Sequence, residues 1–165
     1  MPKLIKDEQI IDNAWLRLDD LAAEDTLPEG DVIVPLSYWV QNKAQLQGRV
    51  QSVGVSINNT DDVTVLAEDA QDLPLVEVYF PAFMDGRGFS QGRLLRERFG
   101  FTGELRAAGA IIRDQLCYLR RCGFNAFRFD DESMDLTACL SSLYDFTDGY
   151  QPSVDQPAPL FARRG

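Results

Sequence analysis

The sequence contains no histidine among its 165 residues. Histidine is the usual general base beside serine and cysteine nucleophiles, a common metal ligand and a frequent axial ligand of haem. Its absence excludes Ser-His-Asp and Cys-His catalytic systems and histidine-ligated metal or haem sites. Any general acid or base must therefore be aspartate, glutamate, tyrosine, cysteine or arginine-assisted water. We also find no recognisable cofactor-binding motif and predict no cofactor in this chain.

Cysteine is scarce, and long apolar runs are missing. The three cysteines, Cys117, Cys122 and Cys139, are an odd number that suits a reducing compartment, and the Cys117–Cys122 spacing matches no common metal site. No apolar run approaches the roughly 20 residues of a membrane helix. The first residues are charged too often for a signal peptide. We therefore expect a cytoplasmic protein with buried thiols, no metal and no membrane contact.

Lysine is absent after Lys43, and positive charge is concentrated in one segment. Residues 85–128 hold nine of the sixteen basic residues, all of them arginine, against four acidic residues, which gives a charge of +5. The remaining residues carry −15, so the net charge is −10. This acidic balance argues against general nucleic-acid binding. Arginine suits two-pronged recognition of carboxylate, phosphate or sulfur oxyanions, so the segment indicates an anion site or an acidic partner.

Short apolar runs alternate with helical patterns about five times along the chain. Strands are predicted at 32–36, 53–57, 75–80, 104–107 and 126–129, and helices at 37–48, 63–72, 91–99, 111–122 and 133–146. This order predicts an α/β fold with a mainly parallel sheet and crossover helices. The units are too few for an eight-stranded barrel, so the sheet is open or incomplete and barrel-like, with a small hairpin within residues 4–18. We predict a single domain over 1–150 and a loose tail over 151–165.

The string Asp85-Gly86-Arg87-Gly88 falls between a predicted strand and a predicted helix, where an oxyanion can bind. Glycine lets the backbone approach a ligand, and the first turn of the helix offers free N–H groups and a positive dipole. The next strand and the next helix bring further arginines towards the same strand ends. The predicted anion-binding residues are Arg87, Gly88, Ser90, Arg106 and Arg113.

Structural roles stay open for several residues around this candidate site. The supporting residues are Asp85, Glu104, Asp114 and Gln115. Asp85 can pair with an arginine in a tight turn, and Asp114 and Gln115 can cap a helix. Arg106 can pair with Glu104 or Asp114, because a buried arginine needs a partner. The run at 130–132 (Asp-Asp-Glu) is more typical of a solvated helix cap than of a cation site.

Arginines on predicted helix faces form a second candidate site. Arg93 and Arg96 lie one turn apart, and Arg120 and Arg121 end the next helix, where they complement its dipole. Glu97 follows Arg93 at the spacing of an intrahelical ion pair, so a solvated, salt-bridged face is the alternative. The residues predicted to dock a partner are Arg93, Arg96, Arg98, Arg120 and Arg121.

The run FPAFMDGRGFSQGRLLRERFGFTGELRAAGAIIRDQLCYLRRCGFNAF resembles the uncharacterised bacterial family called domain of unknown function 934. The likeness extends from about the VIVPL string to the YQP string. Members of that family are commonly encoded beside the haem subunit of assimilatory sulfite reductase and are labelled as oxidoreductases of sulfite reduction. The chain departs from the family pattern at Ala110, where the family often has aspartate, and at 90–93, where SQGR replaces a string closer to SIAR.

The resemblance implies an accessory protein of assimilatory sulfite reduction. In this first hypothesis, the arginine-rich surface docks the sulfite reductase haem subunit or its electron donor. The alternative is a small-oxyanion-binding enzyme or carrier with its site at the DGRG and GELRA loops, and a third hypothesis is a purely structural assembly protein. Oxidoreductase activity is implied by the resemblance alone, and the family supplies no established catalytic residue.

Overall fold

The computed structural model of the protein describes residues 2–49, 52–81 and 86–143. Its strands are β1 (Lys3–Lys6), β2 (Gln9–Asp12), β3 (Leu16–Arg17), β4 (Val32–Pro35), β5 (Val53–Ile57), β6 (Leu75–Phe80), β7 (Glu104–Gly109) and β8 (Ala126–Phe129). Its helices are α1 (Leu36–Gln47), α2 (Arg87–Glu97), α3 (Leu116–Arg121) and α4 (Leu136–Ser142). Two short 3₁₀ helices, Val63–Leu66 and Arg113–Gln115, complete the regular structure of the described residues.

These strands form one sheet in the order β2-β1-β8-β7-β6-β5-β4-β3. Neighbouring strands from β3 to β8 are parallel, whereas β1 pairs antiparallel with both β2 and β8. The α/β class and the N-terminal hairpin are therefore confirmed. The prediction of a mainly parallel sheet is wrong, because the hairpin extends the sheet beyond β8 and makes it mixed.

The sheet is curled into a half-barrel, and a short link joins its two edges. The edge strands β2 and β3 are consecutive along the chain, and only residues 13–15 lie between them. A link of this length spans at most about 14 Å, so the two edges must lie near each other. Asn13 N–H donates to the Pro2 carbonyl, and Leu16 N–H donates to the Asp31 carbonyl, which fixes both ends of the link.

The two faces of the curled sheet carry different side chains. On the helical side, Val76, Val78, Leu105, Ala107 and Phe127 join one apolar core with residues from all four helices. Side chains alternate along a strand, so their neighbours point to the inner face. That inner face receives Leu75 and the charged or polar positions of β6, β7 and β8. The apolar core therefore packs the helices against one face of the sheet, and the other face encloses a polar interior.

Several predicted element boundaries need correction. The first residue of α2 is Arg87 and its N-cap is Gly86, so the helix begins four residues before the predicted start at residue 91, and Ser90 lies within it. The segment predicted as a helix at 63–72 is a 3₁₀ helix, Val63–Leu66, followed by turns, and the segment at 111–122 divides into a 3₁₀ turn and α3. Asp135 caps α4, and the predicted tail at 151–165 lies outside the described residues.

Gly109 ends β7 in a backbone conformation that other residues avoid. Its φ is +103°, and a Cβ atom would lie 2.5 Å from the Phe80 carbonyl oxygen. We expect Gly109→Ala to lower the free energy of unfolding by about 2–3 kcal/mol, because such a φ alone costs about 1–3 kcal/mol. Urea denaturation measures the change. The control is Gly86→Ala, whose site has a φ of −79° and open space around it; equal unfolding midpoints for the two variants would contradict the expectation.

A candidate site inside the curled sheet

Charged side chains from five strands meet on the inner face of the sheet. Glu77 of β6 lies beside Arg106 of β7, and Tyr79 of β6 lies in the same row as Ala108 and Arg128. We call the set of interacting side chains the inner cluster; it comprises Lys6, Arg17, Glu77, Tyr79, Glu104, Arg106, Arg128 and Asp130. Alternation along each strand turns these side chains away from the helices, so the fold gathers them in one place.

Glu77 lies at the centre of the inner cluster, with its side chain 0% exposed. Its Oε1 atom is 2.6 Å from Nε of Arg17, and its Oε2 atom is 3.6 Å from Nε of Arg128 and 4.0 Å from Nη1 of Arg106. None of these contacts is an aligned hydrogen bond, for the carboxylate or for the two Nε groups. Charge attraction to three guanidinium groups therefore stabilises this buried carboxylate.

Arg106 pairs with Glu104, one of the two partners considered from the sequence. Its Nε and Nη2 atoms both lie 2.7 Å from Oε2 of Glu104, and its Nη1 donates to Oδ1 of Asn13 at 3.2 Å. Lys6 adds a 3.3 Å contact to the other oxygen of Glu104. The Glu104–Arg106 pair is confirmed. Because Arg106 is buried and already bonded, it serves the inner cluster as a structural arginine.

Tyr79, Arg128 and Asp130 form the outer edge of the inner cluster. The Tyr79 hydroxyl donates to Oδ2 of Asp130 at 2.8 Å, and Nη1 of Arg128 donates to Oδ1 at 3.4 Å. The hydrogen bond to Asp130, together with burial, raises the pKa of the Tyr79 phenol. The Arg17 guanidinium lies 4.7 Å from the centre of the Tyr79 ring. The phenol is therefore a protonated donor at neutral pH.

A cavity of about 720 Å³ opens beside this edge. Its lining includes Asn13, Arg17, Arg128, Asp130 and Glu132. It lies at the carboxyl end of β8, and in α/β folds ligands bind at the carboxyl ends of parallel strands. Its volume falls in the range of small-molecule sites. Through this cavity, the charged interior is open at the carboxyl ends of the strands, where this type of fold binds ligands.

The predicted anion-binding residues lie in different parts of the structure. Arg87 and Ser90 are exposed on the first turns of α2, and Gly88 packs against the Phe80 ring. Arg106 is inside the inner cluster, whereas Arg113 donates to the Ser142 hydroxyl of α4 on the helical side. Among the supporting residues, Gln115 accepts from Ile112 N–H at 3.0 Å as a capping group, Asp114 is exposed, and Asp85 lies outside the described residues.

Arg96, predicted to dock a partner, makes contacts that are internal to the fold. Its guanidinium donates to the carbonyls of Gly123, Phe101 and Gly103, each at 2.9 Å, and to Oδ1 of Asn125 at 3.3 Å. Four of its five N–H groups are thereby used. Burial lowers the pKa of this guanidinium. Arg96 fastens α2 to the segments that lead into β7 and β8.

The other predicted docking residues lie nearer the surface. Arg93 is 3.4 Å from Glu97, the intrahelical pair that was left open, and Arg120 is 3.7 Å from Glu8. Arg98 is exposed, and Arg121 is half-buried. Tyr118 of α3 is 49% exposed, and its ring packs at a tilt of 54° against Phe89 of α2, with 5.0 Å between the ring centres. The charges of Arg93 and Arg121 act on the Tyr118 phenol and on the Cys122 thiol. We call Phe89, Arg93, Tyr118 and Arg121 the aromatic-arginine surface.

The three thiols are buried, as the sequence predicts. Burial raises the pKa of Cys122 and of Cys139, which keeps both in the unreactive thiol form. We therefore expect a disulfide-exchange reagent to modify the native protein slowly at mildly alkaline pH and to modify all three cysteines rapidly after unfolding in urea. Absorbance of the released reagent follows the reaction. A fast phase in the native protein would contradict the burial of the thiols.

Five residues of the inner cluster were not predicted from the sequence as site residues: Arg17, Glu77, Tyr79, Arg128 and Asp130. A signal was present, because Glu77 and Arg128 each interrupt a strand whose other residues are apolar or aromatic, and Arg106 follows Glu104 on the same face of β7. Strands of a parallel sheet are usually apolar on both faces. A charge inside such a strand therefore needs a partner on a neighbouring strand.

A comparison with models of protein families identifies a family to which this chain is similar. A model of the family described as "Bacterial protein of unknown function (DUF934)" matches residues 54–161. No curated protein and no solved structure matches the chain. Within the described residues, no group of three or more acidic or cysteine side chains is placed to hold a metal ion, and no helix has the length and apolar character to span a membrane.

Proposed function

Because the chain belongs to the bacterial family of unknown function DUF934, we propose that it is an accessory protein of assimilatory sulfite reduction. In this role it docks the sulfite reductase haem subunit or its electron donor. Two points support the proposal: the link to sulfite reduction that the family resemblance implies, and the aromatic-arginine surface on α2 and α3.

The aromatic-arginine surface has the composition of a docking site. Tyrosine and arginine are over-represented among residues that contribute most to protein–protein binding. Tyr118 is half exposed and supported from below by Phe89, while Arg93 and Arg121 lie beside it. A rigid aromatic side chain flanked by two cations suits an acidic protein surface. The chain as a whole carries −10, so the positive charges of Arg93 and Arg121 beside Tyr118 give this surface the local charge that steers an acidic partner.

Calorimetric titration with the purified haem subunit tests the docking proposal. We expect saturable binding that weakens with salt and that loses at least tenfold in affinity in Tyr118→Ala. Arg121→Ala should weaken binding and reduce its dependence on salt. Arg96→Ala is unsuitable here, because Arg96 holds the fold together.

Two control substitutions are outside α2 and α3. Val65→Ala removes another exposed apolar side chain, and Lys3→Ala removes an exposed charge that is paired with Asp12. Both variants should bind like the unaltered protein. The docking proposal fails if the haem subunit and its electron donor both show no binding at tens of micromolar, or if Tyr118→Ala binds no more weakly than Val65→Ala.

The alternative function, a small-oxyanion enzyme or carrier with its site at the DGRG and GELRA loops, stays a prediction. It draws on Arg87, Gly88 and Ser90 at the first turns of α2. Arg106 points to the inner face and Arg113 to α4, so these two arginines do not share one side of the sheet. The geometry therefore supports a docking role for the helical side of the sheet. The inner cluster is the better place to look for anion binding.

A further inference from the structure

We propose that the outer edge of the inner cluster binds a small oxyanion between Arg17 and Arg128. The Tyr79 hydroxyl is the third donor, and the Asp130 carboxylate occupies the position when no ligand is bound. This site is separate from the DGRG loop and from the aromatic-arginine surface, and it meets the GELRA string only through Glu104 and Arg106 of the inner cluster. The inference does not depend on the docking proposal.

The buried part of the inner cluster carries an excess of positive charge. Arg17, Arg106 and Arg128 have side chains that are 25%, 1% and 19% exposed, and they face Glu77 and Glu104, which are 0% and 6% exposed. Lys6, which is 38% exposed and contacts Glu104, is the fourth cation, so four cations against two buried anions leave two positive charges. Unbalanced charge in a poorly solvated place is costly and attracts an anion.

Two exposed aspartates supply the missing negative charge. Asp19 lies 2.5 Å from Arg17 with a side chain that is 61% exposed, and Asp130 lies 3.4 Å from Arg128 with a side chain that is 47% exposed. Both carboxylates reach in from solvent, whereas the glutamates are fixed within the sheet. An ion pair at the surface is screened by solvent and contributes little, so a dissolved anion can displace either carboxylate at little cost.

Asp130 shows where the oxygen atoms of a ligand would lie. One of its oxygens accepts from the Tyr79 hydroxyl at 2.8 Å, and the other accepts from Nη1 of Arg128 at 3.4 Å. A carboxylate therefore already bridges a phenol and a guanidinium at this edge. An oxyanion from solution can make the same two contacts and gain Arg17, whose guanidinium lies against the Tyr79 ring.

The Nη ends of both guanidinium groups are the parts that an anion can reach. The Nε atoms of Arg17 and Arg128 are buried 2.6 Å and 3.6 Å from the Glu77 carboxylate, whereas their Nη1 atoms contact the exposed carboxylates of Asp19 and Asp130. Both arginines line the cavity of about 720 Å³, which gives an anion access to them.

The ligand class follows from these donors. Guanidinium groups and a phenol recognise carboxylates, phosphates and sulfur oxyanions by the same contacts. The cavity is larger than any of these ions, so it has room for a small molecule that carries one of them. A planar carboxylate and a tetrahedral anion differ in shape, and their relative affinities identify the head group.

Titration of the full chain with phosphate, sulfate and acetate, followed by calorimetry, tests the site. We expect Arg128→Gln to weaken binding of the preferred anion at least tenfold and Tyr79→Phe to weaken it severalfold. Asp130→Asn should strengthen binding severalfold or more, because it removes the competing carboxylate. Glu68→Gln, an exposed acid outside the inner cluster, is the charge control and should change affinity little.

The opposite effects of two conservative variants separate a binding site from a structural cluster. Tyr79→Phe and Asp130→Asn each change one polar group at the edge and keep the shape of the side chain, so they test the site even if Arg128→Gln fails to fold. Preference for acetate assigns a carboxylate ligand, and preference for phosphate or sulfate assigns a tetrahedral one. The proposal is overturned if no anion binds at tens of millimolar, or if Asp130→Asn and Glu68→Gln bind equally.

Discussion

Replacing Glu77 by alanine is expected to lower the free energy of unfolding by about 3–5 kcal/mol, the usual cost of removing one partner from a buried ion pair. The carboxylate is fully buried and lies within 4.0 Å of three guanidinium groups. Its loss leaves those groups to repel one another in a poorly solvated interior. A typical domain is stable by about 5–15 kcal/mol, so the variant should be close to unfolding at room temperature.

Urea denaturation of three variants separates the effect of the lost charge from the effect of the lost side-chain volume. Glu77→Gln keeps the shape and removes the charge, so it should recover only a small part of the loss. Glu97→Ala removes an exposed glutamate that pairs with Arg93 on the surface and should cost less than about 0.5 kcal/mol. A loss below about 1 kcal/mol for Glu77→Ala would mean that the positive charges of the three arginines are compensated without this carboxylate.

A second substitution isolates the charge repulsion. Arg17→Met in the Glu77→Ala background removes one of the three cations and keeps an unbranched side chain. Because the two residues are in contact, their effects should not add, and the double variant should be more stable than the sum of the single losses predicts. Strict additivity would show that Arg17 and Glu77 do not interact.

Arg96→Ala is the second variant with a large expected effect, a loss of about 3–4 kcal/mol in the free energy of unfolding. Each hydrogen bond from a charged group contributes about 1.5–3 kcal/mol, and carbonyls that lose their donor add a penalty. The substitution leaves the carbonyls of Phe101, Gly103 and Gly123 without this donor. It also removes the guanidinium that lies 5.1 Å from the centre of the Phe101 ring. The junction of α2, β7 and β8 should therefore loosen first.

Thermal and urea unfolding of Arg96→Lys and Arg98→Ala complete this test. Lysine keeps the positive charge but cannot reach three carbonyls with a planar fork, so Arg96→Lys should lose most of what Arg96→Ala loses. Arg98 is exposed two residues further on, and Arg98→Ala should change the free energy of unfolding by less than about 0.5 kcal/mol. Similar losses for Arg96→Ala and Arg98→Ala would contradict a structural role for Arg96.

Local sequence pattern was enough to predict most of the sheet. Strands β5, β6 and β8 have the predicted bounds, since each is a short apolar run with clear turn residues around it. The partner of the N-terminal hairpin could not be predicted, because the pairing of Ile5 with Phe127 joins residues far apart in the chain. The start of α2 was placed too late, since Ser90 is a better cap by residue type than Gly86.

The candidate site was harder to predict for a different reason. Arg106 was correctly recognised as a buried arginine in need of a partner, and Glu104 was correctly named, because both lie on one strand. Glu77, Arg17 and Arg128 come from three other strands, and their meeting depends on the curl of the sheet and on its register. Arg96 could not be distinguished from Arg93 or Arg98 in the sequence, since three of its four acceptors are backbone carbonyls in connecting segments.

The pairing of β1 with β8 has a consequence for how the protein folds during its synthesis. The ribosome makes β1 long before β8, the strand with which β1 pairs, and β8 is complete only when residue 129 has been added. Until then, the hairpin has an unpaired edge, and the growing chain can complete only the parallel pairs from β3 to β7. Contacts between distant residues slow folding, and unpaired strand edges favour aggregation. Translation that pauses before residue 126 should therefore yield an aggregation-prone nascent chain, even though most of the sheet has already been synthesised.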